Sequence, residues 1–400
     1  MINVLVISDR FPDDLTSGRH LRVNHLCREL TREFNCYFIA LSEERESVGS
    51  GSIPPFLKVR RMPEPGPGMR SALRHLRTTN RRYIERSWPG HFASTVKYLR
   101  QCVREWDIDA VVNFAPLLGE YSLSLDRPAI LDITDCDTLT IERVLANRGH
   151  EIPPATRLRN QLQLFRQKQR EKRMVRQHAA ITTIGEPDKR RLLEIGGVAE
   201  DRVIVVPNGV SSDAMMQFDH DNSGSRSIVF WGNLDFPPNW TAVESFYREV
   251  FLPHLADKGI QWHIVGQGAS DSINDLAKHP NIHLEGFVED LYAFISDKGV
   301  MINPMIEGSG LKNKVIEAFA VGLPVVSTPL GIEAIDGEDI RHFLIASKPL
   351  AMAQMIEQLL SDDQARRTIR TEARQLAEDK YSWGPIGDAF NRILEEVVSQ

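Results

Sequence analysis

The feature that most constrains the fold is a repeated alternation of short apolar segments with amphipathic ones. Apolar, β-branched runs occur at residues 2–8, 36–41, 109–114, 128–134 and 179–184. Most of them are separated by segments such as 20–34, in which apolar side chains recur every three to four residues, as in a helix packed on one side. Continuous apolar strands alternating with helices indicate a parallel sheet covered by helices on both faces.

A second series of apolar runs follows the first, and the two are interpreted as two domains. Its runs lie at residues 202–207, 227–233, 261–268, 281–287, 298–304, 323–328 and 342–346. The segment 211–227 has no apolar period and is rich in Ser, Asp and Asn, so we interpret it as a linker. The sequence therefore predicts two doubly wound α/β domains, with a ligand in the cleft between them at the carboxyl ends of the strands.

Cysteine spacing and hydropathy restrict the compartment. The cysteines Cys27, Cys36, Cys102 and Cys136 lie far apart, which argues against a zinc site or a disulfide framework and for a reducing environment. The N-terminal segment is too short for a secretory signal, and no apolar run reaches the length of about eighteen residues that a transmembrane helix needs. We therefore expect a soluble, cytoplasmic protein.

Charge is unevenly distributed along the chain. Residues 1–200 carry a formal charge of +7 and the remainder −13. The basic segments 69–88 and 157–178 also contain interspersed apolar side chains, a pattern typical of helices that lie on anionic lipid, although two solvated helix faces would look the same. Nucleic acid is not expected as a partner, because the C-terminal half is acidic and no nucleic-acid-binding module is recognisable.

The stretch EGSGLKNKVIEAFAVGLPVVSTPLG, Glu307–Gly331, places a glycine-rich turn between a strand and a predicted helix at 311–321. Glycines permit close backbone approach, and amides at a helix start form an anion site, to which Lys312 and Lys314 would add charge. Glu317 could accept hydrogen bonds from a ribose diol. The glycine turn, the two lysines and Glu317 together indicate that the ligand is a nucleoside diphosphate. Each feature alone is also compatible with an ordinary turn or a solvated helix.

The same stretch resembles the donor-site signature of family-four glycosyltransferases, which are retaining enzymes of the GT-B fold. Similar motifs occur at PNGV (207–210), VFWGNLDFPPN (229–239), VGQG (265–268), EGFVED (285–290) and YSW (381–383). The resemblance implies two Rossmann-like domains facing a central cleft. Residues 1–205 would form the acceptor-side domain, residues 206–382 the nucleotide-sugar domain, and residues 383–400 a helix that crosses back to the N-terminal domain.

The resemblance also implies a role for individual residues. Glu307 would face the sugar hydroxyls, Glu317 would bind the ribose, and Phe287, Val288 and Leu291 would flank the base. Gly18, in the loop after the first strand, would close on the diphosphate from the other domain, and Arg19 beside it would contact the substrate. The remaining expected contacts to the donor come from Gly232, Asn233, Gly266, Gly268, Gly308, Ser309, Gly310 and Leu311.

Three departures from the family pattern change these expectations. Glu307 and Glu317 are ten positions apart, where eight is usual. The loop at 233–244 lacks the Arg and Lys that many members carry, so Lys312 or Lys314 would have to neutralise the departing diphosphate. Thr134 stands where a histidine often follows the fifth strand, and we expect Thr134 and Asp135 to contact the sugar or the acceptor. Glu307, Lys312, Lys314 and Asp135 are thus the expected catalytic residues.

A metal site is not expected. Asp135-Cys136-Asp137 matches the DxD pattern with which a different glycosyltransferase fold holds a divalent metal, but Asp107-Ile108-Asp109 matches it equally well. The GT-B arrangement neutralises the leaving diphosphate with lysines and helix amides instead. No other cofactor is implied.

The function implied is transfer of a hexose or related sugar from a nucleoside-diphosphate sugar to an acceptor hydroxyl, with retention at the anomeric carbon. The resemblance points to exopolysaccharide biosynthesis. The expected acceptor is a saccharide or polyprenyl-linked saccharide at the inner face of the cytoplasmic membrane. Two alternatives stay open. The first is a nucleotide-sugar epimerase or hydrolase on the same architecture. The second is a non-catalytic scaffold that binds nucleotide sugars, and the absence of the usual Arg and Lys would be compatible with it.

Overall fold

The computed structural model describes residues 1–9, 18–41, 54–62, 90–148, 153–210, 212–216 and 224–399. The chain divides into two compact units. The first unit comprises Met1–Pro207 together with Gly384–Gln400, and the second comprises Asn208–Trp383.

The described strands of the first unit form a seven-stranded, entirely parallel sheet in the order β3-β2-β1-β4-β5-β6-β7. Side chains of β4, β5 and β6 are buried on both faces, which explains their continuous apolar sequences. The strand bounds are β1 Asn3–Ser8, β2 Asn35–Leu41, β3 Lys58–Met62, β4 Ala110–Asn113, β5 Ala129–Asp132, β6 Ala180–Thr183 and β7 Val203–Val205.

Helices of the first unit pack on this sheet around two hydrophobic clusters. One cluster joins β1, β2 and β4 to α2, and the other joins β5 and β6 to α5 and α6. The helices are α1 Gly18–Glu33, α2 His91–Glu105, α3 Gly119–Ser122, α4 Asp137–Arg148, α5 Pro154–Gln177 and α6 Glu186–Gly196, with 3-10 turns at Pro116–Leu118 and Glu200–Arg202.

The second unit has a six-stranded parallel sheet in the order β10-β9-β8-β11-β12-β13. Its core includes Trp262, whose ring lies 4.9 Å from that of Phe246 and 5.3 Å from that of Phe251, measured between centroids. The strands are β8 Ser227–Trp231, β9 Gln261–Val265, β10 Ile282–Gly286, β11 Val300–Asn303, β12 Val325–Ser327 and β13 Leu344–Ile345.

The helices of the second unit follow its strands in alternation. They are α7 Ser212–Met216, α8 Pro237–Phe246 with a π-helical continuation Tyr247–Leu255, α9 Asp271–Leu276, α10 Leu291–Ser296, α11 Asn313–Val321, α12 Pro329–Ile332, α13 Pro349–Ser361 and α14 Asp363–Lys380.

The last helix, α15 Trp383–Ser399, returns the chain to the first unit. The Phe390 ring stacks on that of Phe114 with centroids 5.9 Å apart, and the Asn391 side-chain amide donates a hydrogen bond to the Glu29 carbonyl at 3.2 Å. The C-terminal residues of the sequence therefore complete the N-terminal unit.

Every apolar run identified in the sequence contains a strand, but three interpretations were wrong in detail. β7 lies in the first sheet, although its run at 202–207 was grouped with the second series. β3 was missed, because it is an edge strand whose basic side chains Lys58 and Arg60 leave no apolar run. The presumed linker includes the short helix α7, and its residues 211 and 217–223 lie outside the described part of the chain.

Candidate functional site

The carboxyl ends of β8, β9 and β10 are held side by side in the second unit. The Gly232 amide donates to the Val265 carbonyl at 3.0 Å, and the Gly266 amide donates to the Gly286 carbonyl at 2.8 Å. A Cβ on Gly266 would overlap the carbonyl oxygen of Gly232, and the φ of Gly266 is +149°. Only glycine permits this approach, so Gly232 and Gly266 bring the predicted site loops together.

The turn that opens the Glu307–Gly331 stretch also depends on glycine. Gly308 has φ +103° and Gly310 has φ +70°, both in the region that residues with a side chain rarely adopt. Helix α11 begins at Asn313, not at Leu311 as expected, because Lys312 has the extended backbone (φ −88°, ψ 96°) of an N-cap. The amides of Gly308–Leu311 therefore belong to the turn that precedes the helix and not to its first turn.

The Lys312 side chain stabilises this turn by hydrogen bonding to its backbone. Its ammonium donates hydrogen bonds to the carbonyl oxygens of Ser309 at 2.7 Å and Gly310 at 2.9 Å. Glu307 is partly exposed in the loop that precedes the turn. A ligand anion at this place would meet the Lys312 charge beside the turn amides.

Lys314 is the second residue of α11, two positions after Lys312, and its ammonium has a different environment. Its ammonium donates to the Asn239 side-chain oxygen at 2.8 Å and lies 4.0 Å from the centroid of the Phe230 ring. Burial and, to a smaller extent, the nearby Lys312 charge lower the pKa of Lys314 to about 7, while the Glu317 carboxylate acts in the opposite direction. A negative charge that binds nearby would raise the pKa of Lys314, so that Lys314 would take up a proton at neutral pH.

Glu317 lies one turn after Lys314 on the same helix face. One of its carboxylate oxygens accepts a hydrogen bond from the Trp231 indole N–H at 2.9 Å. Burial raises the pKa of Glu317, while this hydrogen bond and the Lys314 charge act in the opposite direction. The Trp231 contact leaves the second carboxylate oxygen for a ligand donor.

The loop after β8 is shaped by its own polar groups. The Asn233 side-chain oxygen accepts from the Asp235 amide at 2.9 Å, and the Asn233 carbonyl accepts from the Asn239 side chain at 2.9 Å. Gly268, with φ +82°, lies so close to Asp235 that a Cβ would collide with that carboxylate. Asn239 therefore joins the loop to Lys314, a role that its position in the sequence did not reveal.

Apolar side chains lie at the end of β10. Phe287 is 72% exposed and follows Gly286, whose φ is +64°. Val288 is partly exposed, and Leu291 begins helix α10, which is capped by the Asp290 side chain accepting from the Ala293 amide at 3.0 Å. The Gly266–Gly286 hydrogen bond attaches this apolar surface to the glycine loops.

The predicted residues of the first unit lie at the carboxyl edge of its own sheet. Gly18 begins helix α1 and Arg19 lies in its first turn, while residues 10–17 of the preceding loop are outside the described part of the chain. Thr134 and Asp135 follow β5 and line a cavity of about 270 Å³. Asp135 is exposed at its mouth.

A buried ion pair at this edge was not anticipated. Arg22 is 0% and Asp132 is 1% exposed, and they form two hydrogen bonds of 2.9 Å and 2.7 Å. Arg22 also donates to the carbonyl oxygens of Val206 at 2.8 Å and Pro207 at 3.1 Å, where the chain leaves the first unit for the second. In the sequence, this ion pair was indicated only by the position of Arg22 among the apolar residues of a predicted helix.

Among the residues that the structure describes, no three or more His, Cys, Asp or Glu side chains are grouped so as to hold a metal ion. In the Asp135-Cys136-Asp137 motif, burial raises the pKa of the Cys136 thiol, which lies 3.6 Å from a Glu171 carboxylate oxygen.

Of the two basic segments in the sequence, 69–88 and 157–178, the structure describes only the second. The segment 69–88 lies within the undescribed residues 63–89, while 157–177 belongs to helix α5. On that helix Leu158, Leu162 and Phe165 are 68%, 47% and 62% exposed. None of the described helices is long and apolar enough to cross a membrane.

Comparison with known proteins places these features in context. Residues 225–362, which contain Gly232, Gly266 and the Lys314–Glu317 pair, match the family model described as Glycosyl transferases group 1. The capsular polysaccharide biosynthesis glycosyltransferase CapM of Staphylococcus aureus is 28% identical over 127 residues, or 30% of this chain. That match spans 33% of the length of CapM.

Solved structures resemble the chain over its whole length. Sucrose-phosphate synthase from Thermosynechococcus elongatus has a TM-score of 0.70 at 15% identity, covering 100% of both chains. HepE from Anabaena in complex with UDP has a TM-score of 0.66 at 13% identity, covering 99% of this chain and 100% of HepE. The fold is GT-B. The predicted pair of Rossmann-like domains is thereby confirmed.

Proposed function

We propose that the chain is a retaining, family-four-like glycosyltransferase, transferring a hexose or related sugar from a nucleoside-diphosphate sugar to an acceptor hydroxyl. The observation that carries the proposal is the Lys314–Glu317 pair, held by Asn239 and Trp231 beside a glycine turn. This pair lies in the part of the chain that matches the family model. HepE, which has the same fold, was solved with UDP and with UDP-glucose.

In this proposal each part of the site meets one part of the donor. The amides of the Gly308–Leu311 turn and the Lys312 charge hold the diphosphate. Glu317, oriented by Trp231, accepts hydrogen bonds from the ribose, and the exposed Phe287 ring covers the base. Glu307 faces the sugar hydroxyls.

Lys314 supplies the charge that the departing diphosphate requires. Its low pKa reflects an ammonium withdrawn from water, and an approaching diphosphate offsets this penalty, so protonation accompanies donor binding. A preorganised cation and amides stabilise the negative charge that develops as the glycosidic bond to the diphosphate breaks. We propose that the Lys314 cation and the turn amides take the place of a divalent metal. Metal chelators should therefore leave the rate of sugar transfer unchanged.

Donor binding is tested by a thermal-shift screen with UDP, GDP, ADP and their sugar conjugates. Wild type is compared with Glu317→Gln and with Glu249→Gln, a change at a glutamate that is 49% exposed in the same unit. We expect one nucleotide to raise the melting temperature of wild type and of the control, because a bound ligand stabilises the folded state, and to lose this effect in Glu317→Gln. No shift with any nucleotide would contradict the proposal.

Turnover separates the transferase from its alternatives. A donor that is bound and consumed only with an acceptor indicates transfer, and the anomeric configuration of the product, read by NMR, tests retention. Epimerisation or free-sugar release without an acceptor would indicate the epimerase or hydrolase. Binding without any turnover would indicate a scaffold.

We further propose that the protein acts at the inner face of the cytoplasmic membrane on a polyprenyl-linked saccharide in exopolysaccharide synthesis. The supporting observation is the apolar stripe Leu158, Leu162 and Phe165 on α5, with spacings of four and three residues, flanked by arginines at 157, 159 and 166. CapM, which resembles part of the chain, is a capsular polysaccharide glycosyltransferase.

Sedimentation with vesicles tests this attachment. Wild type should bind vesicles of anionic lipid more strongly than neutral ones, and Leu162→Ser with Phe165→Ser should weaken that binding. Leu350→Ser, at a 53% exposed leucine of the second unit, is the matched control. Equal sedimentation of wild type and the double variant would exclude the α5 surface as the attachment site.

A further inference from the structure

Strand β10 contains a β-bulge shortly before the aromatic ring that is expected to cover the base. Leu284 and Gly286 pair with consecutive residues of β9, so Glu285 is an extra residue between two paired positions. A β-bulge bends its strand and changes the direction of the side chains that follow, and bulges are frequent next to active sites. Phe287, which is 72% exposed, comes directly after this bulge. The direction of its ring therefore depends on how the bulge is held.

A histidine on the neighbouring strand contacts the extra residue. The His263 Nδ1 atom lies 2.7 Å from a carboxylate oxygen of Glu285, and the two side chains are 18% and 28% exposed. Burial lowers the pKa of His263 from its ordinary value of 6.5, whereas the Glu285 hydrogen bond acts in the opposite direction. The imidazole is therefore mostly neutral at neutral pH. Because a carboxylate only accepts hydrogen bonds, Nδ1 carries the proton and donates the hydrogen bond to Glu285.

The His263 ring also contacts the helix that follows the bulge. It meets the Phe294 ring of α10 edge to face, with centroids 5.9 Å apart, and stacks on the His283 ring of β10 with centroids 4.9 Å apart. Leu291 begins α10 and lies three positions before Phe294, on the same side of the helix. His263 therefore contacts both segments that carry the residues expected to flank the base.

We propose that His263 and Glu285 are positioning residues that fix the β10 bulge and thereby set the preference of the donor site for one base. If the bulge moved by one residue, the side chains after it would point to the opposite face of the sheet. The contact with His263 opposes this movement, so Phe287 and Leu291 present one arrangement to the base. The inference rests on the proposed function, because that function places the base at this surface. In this proposal neither positioning residue contacts the nucleotide itself.

The test compares the binding of UDP, GDP and ADP to the full chain by calorimetry, because these ligands share ribose and diphosphate and differ only in the base. Glu285→Leu removes the acceptor, whereas Glu285→Gln keeps an acceptor oxygen for His263. We expect Glu285→Leu to bind the preferred nucleotide about tenfold more weakly and the other two with smaller losses, because the base no longer meets an aligned aromatic ring. Glu285→Gln should retain the preference of wild type.

Gln261→Leu is the matched control, because the Gln261 side-chain oxygen accepts a hydrogen bond from His283 Nε2 at 2.8 Å, a contact of the same kind at the other end of the same two strands. This variant should keep the base preference. An unchanged preference in Glu285→Leu, equal weakening of all three nucleotides, or the same loss of preference in Gln261→Leu would overturn the inference.

Amide hydrogen exchange of residues 285–296, measured by mass spectrometry without nucleotide, reports the bulge directly. Exchange should be faster in Glu285→Leu than in wild type, Glu285→Gln and Gln261→Leu, because the segment loses its contact with His263. Unchanged exchange in Glu285→Leu would overturn the inference. Absence of nucleotide binding in wild type would contradict the proposed function and, with it, the role in base preference, whereas the exchange result reports the contact separately, so the two failures are distinguishable.

Discussion

Replacing Lys314 with methionine is expected to stabilise the second unit at neutral pH while abolishing donor binding. Burial lowers the pKa of Lys314 from an ordinary 10.5 to about 7. The gap between these values corresponds to about 5 kcal/mol, the order of magnitude by which the buried ammonium destabilises the folded state. Methionine fills a similar volume without charge, but loses the Asn239 hydrogen bond and the Phe230 ring contact, together worth about 1–3 kcal/mol.

The sign of the pH dependence follows from proton binding. Between pH 7 and pH 10.5 the unfolded chain holds more protons at Lys314 than the folded chain does, so wild-type stability rises with pH across this window. The destabilisation is fully present below pH 7 and disappears above pH 10.5. Lys314→Met should therefore be more stable than wild type near pH 7, and no more stable than wild type near pH 10.

Urea unfolding at pH 7, 8.5 and 10, followed by both tryptophan fluorescence and circular dichroism, measures this difference. Lys258→Met is the matched control, because Lys258 is 53% exposed and pairs only with the surface residue Glu357 at 3.4 Å among the described contacts. A difference in unfolding free energy between Lys314→Met and wild type that stays the same at every pH would refute the buried-charge argument.

Three further predictions follow from the same contacts. Calorimetry on wild type in buffers of different ionisation enthalpy should show uptake of close to one proton per donor nucleotide at pH 8 and far less at pH 6, where Lys314 is already protonated; equal uptake at both pH values would place the titrating group elsewhere. Trp231→Phe should weaken nucleotide binding about tenfold by releasing Glu317, with little change in circular dichroism, and an unchanged Kd would exclude the orienting role of the indole. Arg22→Met should destabilise the first unit by about 3–5 kcal/mol because it leaves Asp132 buried without its partner, whereas Arg22→Met combined with Asp132→Leu should recover part of that loss in urea unfolding.

Features fixed by local sequence could be predicted well. Runs of apolar residues located the strands, because strands buried on both faces need no polar alternation. The glycines at 308 and 310 marked a turn, and in the structure both have positive φ, +103° and +70°. The start of α11 was misjudged by two residues, because helix periodicity does not distinguish a first helical residue from an extended N-cap such as Lys312.

Features that depend on distant contacts could not be predicted. Asn239 and Trp231 lie 75 and 86 positions before their partners Lys314 and Glu317, and nothing local to either partner indicates the contact. Arg22 and Asp132 are 110 positions apart. Edge strand β3 lacked an apolar run because it carries the basic side chains Lys58 and Arg60, and charged side chains are typical of a sheet edge.

The loop after β8 shows why a departure from the family pattern is compatible with the proposed chemistry. It lacks the expected Arg and Lys, and Lys314 instead donates a hydrogen bond to the neutral side-chain amide oxygen of Asn239, in the helix α8 that follows the loop. A cation at that place would lower the pKa of Lys314 further, as Lys312 already does. Because the Asn239 side chain is neutral, the pKa of Lys314 stays near 7, and binding of a diphosphate can cause Lys314 to take up a proton at physiological pH. Asn239→Lys should therefore weaken donor binding despite adding positive charge, whereas Asn239→Lys binding the donor more tightly than wild type would show that total charge, not the protonation of Lys314, governs the site.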